Sequence, residues 1–226
     1  MSVKFYQVGG CVRDELLGLR SKDIDYSVEA SSYDAMKDEI LNRGGDIFLE
    51  TPEYFTIRAK VPGMGACDFV LCRKDGQYSD GRRPDEVQMG TLHDDLARRD
   101  FTMNAIAKAE DGTLIDPHGG QFAIENRVIH CVGDAYRRFE EDYLRMLRAI
   151  RFSVTKGFKI SNMTQFAIQQ FSSRIAEVSV ERVREELHKA FKVNTLQTIG
   201  LLQKFNMMEH VFNDRTGLWL EPTLKK

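Results

Sequence analysis

Asp23 and Asp25 stand two residues apart, a short distance after Gly9, Gly10 and Arg13. The segment "DIDYSVEA" alternates polar and apolar, so it predicts a strand with both carboxylates on one face. Two carboxylates held together repel, and they are tolerated if exposed, if one is protonated, or if a cation sits between them. Mg²⁺ held by one or two carboxylates plus substrate phosphates is one such solution. In "VGGCVRDELLG", Gly9–Gly10 follows a strand-like "KFYQV" and opens a helix that stops at Gly18. That arrangement points backbone N–H groups at a phosphate. Arg13, one helical turn on, adds charge-assisted hydrogen bonds. A magnesium–triphosphate needs both an anion site and a metal site. The same residues also fit a glycine-capped helix beside a solvated aspartate pair. Asp68, opening the strand-like "CDFVLCR", is a candidate third carboxylate if its strand lies beside that of Asp25.

The surrounding pattern is that of an α/β head followed by helices. "SSYDAMKDEILNRGG" has a serine cap and a closing glycine pair, and predicts a helix. "DIFLE", "EYFTIRAKV" and "CDFVLCR" predict three strands, and "KDGQYSDGRRPDEVQMG" a loop. "TLHDDLARRDFTMNAIAKA" predicts a helical start leading into an apolar run, and "GTLIDPHGG" a turn. From Asp134 onward the period is helical: "GDAYRRFEEDYLRMLRAIRFSV", "NMTQFAIQQFSSRI", "SVERVREELHKAF" and "TLQTIGLLQKF". This order predicts a mixed sheet with helices, then an all-helical part.

Within "EEDYLRMLRAIRF", Asp142, Arg145, Arg148 and Arg151 recur every third residue and predict one polar stripe on a helix, with Leu144, Leu147 and Ile150 on a separate core stripe. One reading is a solvated helix with Asp142 paired to Arg145. The other concerns nucleobases. Cytosine and adenine present an amino donor beside a ring-nitrogen acceptor, whereas guanine and uracil present the reverse order. A carboxylate only accepts and a guanidinium only donates. Asp142 beside Arg145 therefore matches C and A and strands polar groups against G and U. Arg148 and Arg151 would face the triphosphate or sugar.

Composition bounds these readings. The 226 residues are 42% hydrophobic and 29% charged, with a formal net charge of −2, which suits a globular chain that is not basic overall. No run approaches the roughly 18 apolar residues of a membrane span. The start "MSVKFYQVGG" shows no charged-then-apolar leader, so the expected compartment is the cytoplasm. Cys11, Cys67, Cys72 and Cys131 lack zinc spacing and predict buried thiols.

Six motifs occur in one order: "VGGCVRDELLG" with "DID", "YSDGRRPDEV", "DDLARRDFTMNAIA", "LIDPHGG", "EDYLRMLRAIRF" and "VSVERVREELHKAF". Through them the chain resembles the bacterial-type (class II) tRNA nucleotidyltransferase and poly(A) polymerase family, with a polymerase-β-like catalytic head, over residues 4 to 193. The resemblance implies a catalytic head at 1–133, a helical neck with a nucleotide-selecting helix at 134–193, and a short helical body at 194–226. It implies that Asp23 and Asp25 bind catalytic Mg²⁺ and that Asp68 is a further acid. Gly10, Arg13 and Arg99 would bind the nucleotide, and Asp142 and Arg145 would select CTP and ATP, with Arg148 and Arg151 beside them. The implied reaction is two-metal phosphoryl transfer, in which an RNA 3′-hydroxyl, at the end of a tRNA, attacks the α-phosphate of CTP or ATP.

Full CCA addition, CC-only or A-only addition and poly(A) synthesis all occur in the family, and the loop "KDGQYSDGRRPDEV" tilts the expectation toward CCA. A non-catalytic RNA- or nucleotide-binding remnant is the alternative of another class. Tyr143 stands where the family usually has proline and His118 where it commonly has another aromatic. Family members usually continue into further helices that grip RNA. Here Arg137 and Arg138 can contact RNA phosphates, or be solvated helix residues. The apolar Leu201, Leu202, Phe205, Met207 and Met208 need cover, by packing onto the neck or by a second copy.

Overall fold

In the computed structural model the described residues are 3–21, 23–76 and 85–212, and they fall into two compact units, the second beginning at residue 125. The expected α/β head and helical C-terminal part are both observed.

The first unit runs β1 (Lys4–Val8), α1 (Gly10–Leu16), β2 (Ile24–Glu29), α2 (Tyr33–Asn42), β3 (Asp46–Thr51), β4 (Thr56–Val61), β5 (Gly65–Leu71), β6 (Arg73–Asp75), β7 (Val87–Met89), α3 (Leu92–Ala97), β8 (Ala107–Ala109), β9 (Leu114–Ile115) and α4 (Gly120–Glu125). Seven strands form one mixed sheet in the order β3-β4-β5-β2-β1-β8-β9. Its β2–β5 pair is parallel and its other pairs antiparallel. Ser32 caps α2, its hydroxyl accepting the Ala35 N–H at 3.0 Å, as the serine signal predicts.

Strand alternation gives the sheet two unlike faces. On one, Phe5, Tyr26, Val28, Ile57, Ala59, Phe69 and Leu71 are buried against Met36 and Ile40 of α2. The Tyr26 and Phe69 rings stack at 5.2 Å and Phe5 meets Phe69 edge-on at 5.7 Å. Fixing those apolar residues inward forces Asp25, Ser27, Arg58 and Asp68 onto the other face, because a one-residue slip would exchange the two sets.

The segment expected to be a loop is a β-ribbon at its base. β6 and β7 pair antiparallel, Arg73 opposite Met89 and Asp75 opposite Val87, and the Gly76 N–H closes onto the Glu86 carbonyl at 2.9 Å. Turn-rich composition hid the short pairing. The centre of that segment, 77–84, lies outside the described residues.

The second unit carries β10 (Val128–Ile129), α5 (Ala135–Glu141), α6 (Leu144–Lys156), β11 (Lys159–Ile160), α7 (Asn162–Phe171), α8 (Val180–Lys204) and α9 (Met208–Phe212). The sequence pattern misses the parallel β10–β11 pair, which is too short for alternation to register. Leu144, Leu147 and Ile150 are buried, as their stripe predicts, and α6 packs on α8. Asn194 breaks α8 with φ −159° and ψ 98°, and its side chain accepts the Gln197 N–H at 3.0 Å, capping the second segment.

Leu202, Phe205 and Met207 are buried, and Leu201 and Met208 are half-buried. All four cysteines are buried free thiols, as expected. Burial pushes the Cys67 thiol up to about 11 and the Cys72 thiol higher still. Among the described residues no helix is long and apolar enough to cross a membrane.

Candidate active site

The polar face of the sheet carries a row of charges set by strand register. Asp25 of β2 pairs with Asp68 of β5, and Asp68 pairs in turn with Arg58 of β4. Asp23 lies just ahead of β2, two residues from Asp25. The Asp25 carboxyl is pushed above the ordinary aspartate range, first by desolvation, then by the negative charge of Asp68, with Asp23 adding to it and Arg99 and Arg58 opposing. The residue nonetheless remains exposed to solvent. The register thus brings Asp68 beside Asp25, as the strand reading required.

Asp68 is not an open ligand. Arg58 forks it, Nε donating to Oδ1 at 2.5 Å and Nη2 to Oδ2 at 2.7 Å. Among the described residues no three His, Cys, Asp or Glu side chains are arranged to hold a metal ion. Asp23 and Asp25 remain as hard oxygen donors in a patch whose negative charges repel, and this chemistry suits Mg²⁺.

Arg99 closes the row from the side of α3. Asp95, fully buried, accepts from Arg98 Nη2 at 2.6 Å, Arg99 Nη2 at 3.0 Å and the Ser27 hydroxyl at 2.6 Å. Burial alone would raise its carboxyl, but Arg98, Arg99 and Ser27 hold it down at about 2. Anchored there, Arg99 turns Nη1 toward Gly9, and no acceptor among the described residues reaches its buried Nε. Val8, Asp25, Arg58, Asp68 and Arg99 line one cleft of about 290 Å³.

Gly9, not Gly10, is the strained member of the glycine pair. Its φ of 76° and ψ of −128° suit glycine alone, and a Cβ there would lie 2.9 Å from Arg99 Nη1. Gly10 has only the Arg13 guanidinium nearby, 3.5 Å from such a Cβ. Gly9→Ala is therefore expected to cost about 2 kcal/mol in denaturant unfolding, and Gly10→Ala close to nothing. Equal costs would contradict the assignment.

Arg13 is buried at 6% exposure. It donates to Asp14 Oδ1 at 2.9 Å and to Asn104 Oδ1 at 2.6 Å, and Asn104 donates in turn to Asp100 at 2.9 Å. The "RRDFTMNAIA" motif thus clamps the arginine of "VGGCVRD" from far along the chain, beneath the glycine turn. Asp116 of "LIDPHGG" accepts the Gly120 and Gln121 N–H groups at 2.7 and 2.9 Å, which starts α4.

The nucleobase-selecting candidates lie in the second unit, and here the expected single stripe is corrected. Asp142 is extended, φ −157° and ψ 104°, and α6 begins after it. Its carboxylate accepts the Leu144 N–H at 3.0 Å and Arg182 Nη2 at 2.7 Å. It does not pair with Arg145, whose guanidinium bonds Glu141 and the Arg138 carbonyl. An i, i+3 spacing cannot show that a helix ends between two of its members, although an aspartate ahead of an apolar run is also a capping signal.

Arg151 bonds buried Glu186, with Arg148 at 3.9 Å and Lys189 at 3.7 Å from the same carboxylate. Glu186, Arg182, Glu141, Asp95 and Arg58 escaped the sequence reading because their partners are distant in sequence or look like ordinary helix charges. Tyr143 is buried, 5.8 Å from the Phe171 ring and 4.8 Å from the Arg174 guanidinium. Arg137 is exposed, and Arg138 bonds Glu141 at 2.6 Å.

Two family models and several known proteins match the chain. Residues 5–130 match the family model described as the poly A polymerase head domain, and residues 157–216 match one described as the probable RNA and SrmB-binding site of polymerase A. The chain is 43% identical over 189 residues to the CCA-adding enzyme of Geobacillus kaustophilus, which covers 81% of this chain and 44% of that protein. It superposes on the Bacillus stearothermophilus CCA-adding enzyme in complex with CTP with a TM-score of 0.83 and 34% identity, over 94% of this chain and 50% of that one. The Thermotoga maritima CCA-adding enzyme complexed with tRNA gives 0.78 and 28%, over 94% and 49%. The chain spans about half the length of the relatives it matches.

Proposed function

This chain belongs to the poly A polymerase head-domain family, and from that membership we propose that it is a template-independent RNA nucleotidyltransferase adding C and A to tRNA 3′ ends from CTP and ATP. The observation that carries the reading is the charge row: Asp25 beside Asp68, with Arg99 anchored by Asp95 and turned toward the glycine turn. A fold that needed only to bind RNA gains nothing from setting Asp25 where burial and the negative charge of Asp68 both raise its pKa. The match to a CTP-bound relative supports the same assignment.

In this reading residues 1–133 are the catalytic head, 134–193 the nucleotide-selecting neck and 194–226 part of a helical body. Asp23 and Asp25 hold Mg²⁺, which when bound supplies Lewis-acid charge stabilisation at the transferred phosphoryl group. Gly10 and Arg13 place backbone N–H groups and a fixed positive charge at the phosphates. Arg99 adds a second cation on a short tether to Asp95. Asp142 and Arg145 select the base, and Arg148 and Arg151 lie one and two turns further along α6. Arg151 is braced on Glu186.

The test is the product made from a tRNA ending at its discriminator base. CTP alone is expected to add two residues and CTP with ATP three, with no long A tail from ATP alone. A long tail would favour poly(A) synthesis. An absence of any incorporation would favour the binding remnant.

A further inference from the structure

The charge row contains a residue with no role in the reading above. Arg58 projects from β4 onto the face that carries Asp25 and Asp68, and register sets it directly across from Asp68. It spends both Nε and Nη2 on that one carboxylate. It also feels the negative charge of Asp25 and Asp23. Its side chain is nevertheless 49% exposed. On its other side the register partner is Leu49 of the edge strand β3, which is exposed at 53%. A guanidinium so placed can leave without unpacking anything, because an exposed fork of this kind contributes little to stability.

We propose that Arg58 is the resident counter-cation of the carboxylate row and competes with the divalent cation for Asp68. The inference rests on the reading that Asp23 and Asp25 seat a divalent cation. A cation drawing on Asp68 has to displace the fork, and a cation using Asp23 and Asp25 alone still meets a fixed positive charge nearby. Either way the guanidinium weakens cation affinity, and it protects the row from self-repulsion meanwhile. Arg58 is thus a positioning residue for Asp68.

Mn²⁺ is the probe, titrated by electron paramagnetic resonance or calorimetry into the full 226-residue chain at fixed pH and ionic strength. Arg58→Ala is expected to bind Mn²⁺ roughly three- to tenfold more tightly than wild type. Arg58→Lys, which keeps the charge and loses the fork, should fall between the two. In an Asp68→Asn background the effect of Arg58→Ala should shrink to about twofold or less. Asp25→Asn reports on the underlying site and should abolish binding. If Arg58→Ala leaves affinity unchanged or lowers it while Asp25→Asn abolishes it, the role of Arg58 is overturned and the cation site stands. Mn²⁺ binding indifferent to Asp25 overturns both. Should Arg58→Ala not fold, Arg58→Gln and Arg58→Lys carry the same comparison.

Discussion

Replacing Asp25 by Asn is expected to cut nucleotide incorporation by about three orders of magnitude or more and to leave the fold at least as stable at neutral pH. The two halves of this expectation have one cause. The Asp25 carboxyl is pushed up by desolvation and by the charge of Asp68, beyond what Arg99 and Arg58 can offset. A carboxyl whose folded pKa lies above its unfolded value binds more protons in the native state. Stability then falls as pH rises from the ordinary value of 3.8 through the raised folded value, and the loss is complete above it. Asn removes the charge and keeps the shape, so the variant should lack that decline. Urea unfolding across mildly acidic to neutral pH, beside single-turnover incorporation, measures both. A variant that keeps activity, or that is clearly less stable than wild type at pH 7, would show that Asp25 is an ordinary structural aspartate.

The same residues show what a sequence can and cannot disclose. The Asp23–Asp25 pair, the Ser32 cap and the alternation of β5 are local signals with periods of two or three residues, and the structure reproduces the elements they define. The parallel pairing of β2 with β5 is not local. It places Asp68 beside Asp25 only because the apolar residues of both strands share the core under α2. The fork from Arg58 depends on a second register and has no signature in "TIRAKV". Arg99 reads as a polar helix residue until Asp95 is seen to anchor it toward Gly9. In the helical part the apolar stripe of α6 was legible, since burial imposes it. The polar side was not, because each arginine takes its partner from α5, α8 or a carbonyl rather than from the neighbour its spacing suggests.

Asp142→Asn is expected to lower discrimination between CTP and UTP, measured as the ratio of their kcat/KM values, by about two orders of magnitude. The geometry makes this a sharper test than alanine would be. Asp142 Oδ1 starts α6 by accepting the Leu144 N–H, and asparagine caps helices about as well as aspartate, whereas alanine would add about 1 kcal/mol of lost capping. An ionised carboxylate has about four lone-pair sites. Leu144 and Arg182 take one each, which leaves acceptor capacity for the exocyclic amino group of C or A. An amide offers a donor as well, so it can satisfy the carbonyl of uracil that the carboxylate repels. Arg182→Ala separates orientation from identity: it leaves the carboxylate in place and removes the donor that fixes Oδ2. It should raise KM for CTP and ATP together and change the CTP-to-UTP ratio far less than Asp142→Asn does. If Asp142→Asn shifts the ratio by less than about twofold while thermal unfolding matches wild type, the base is read elsewhere, and Asp142 serves only to cap α6 and hold α8.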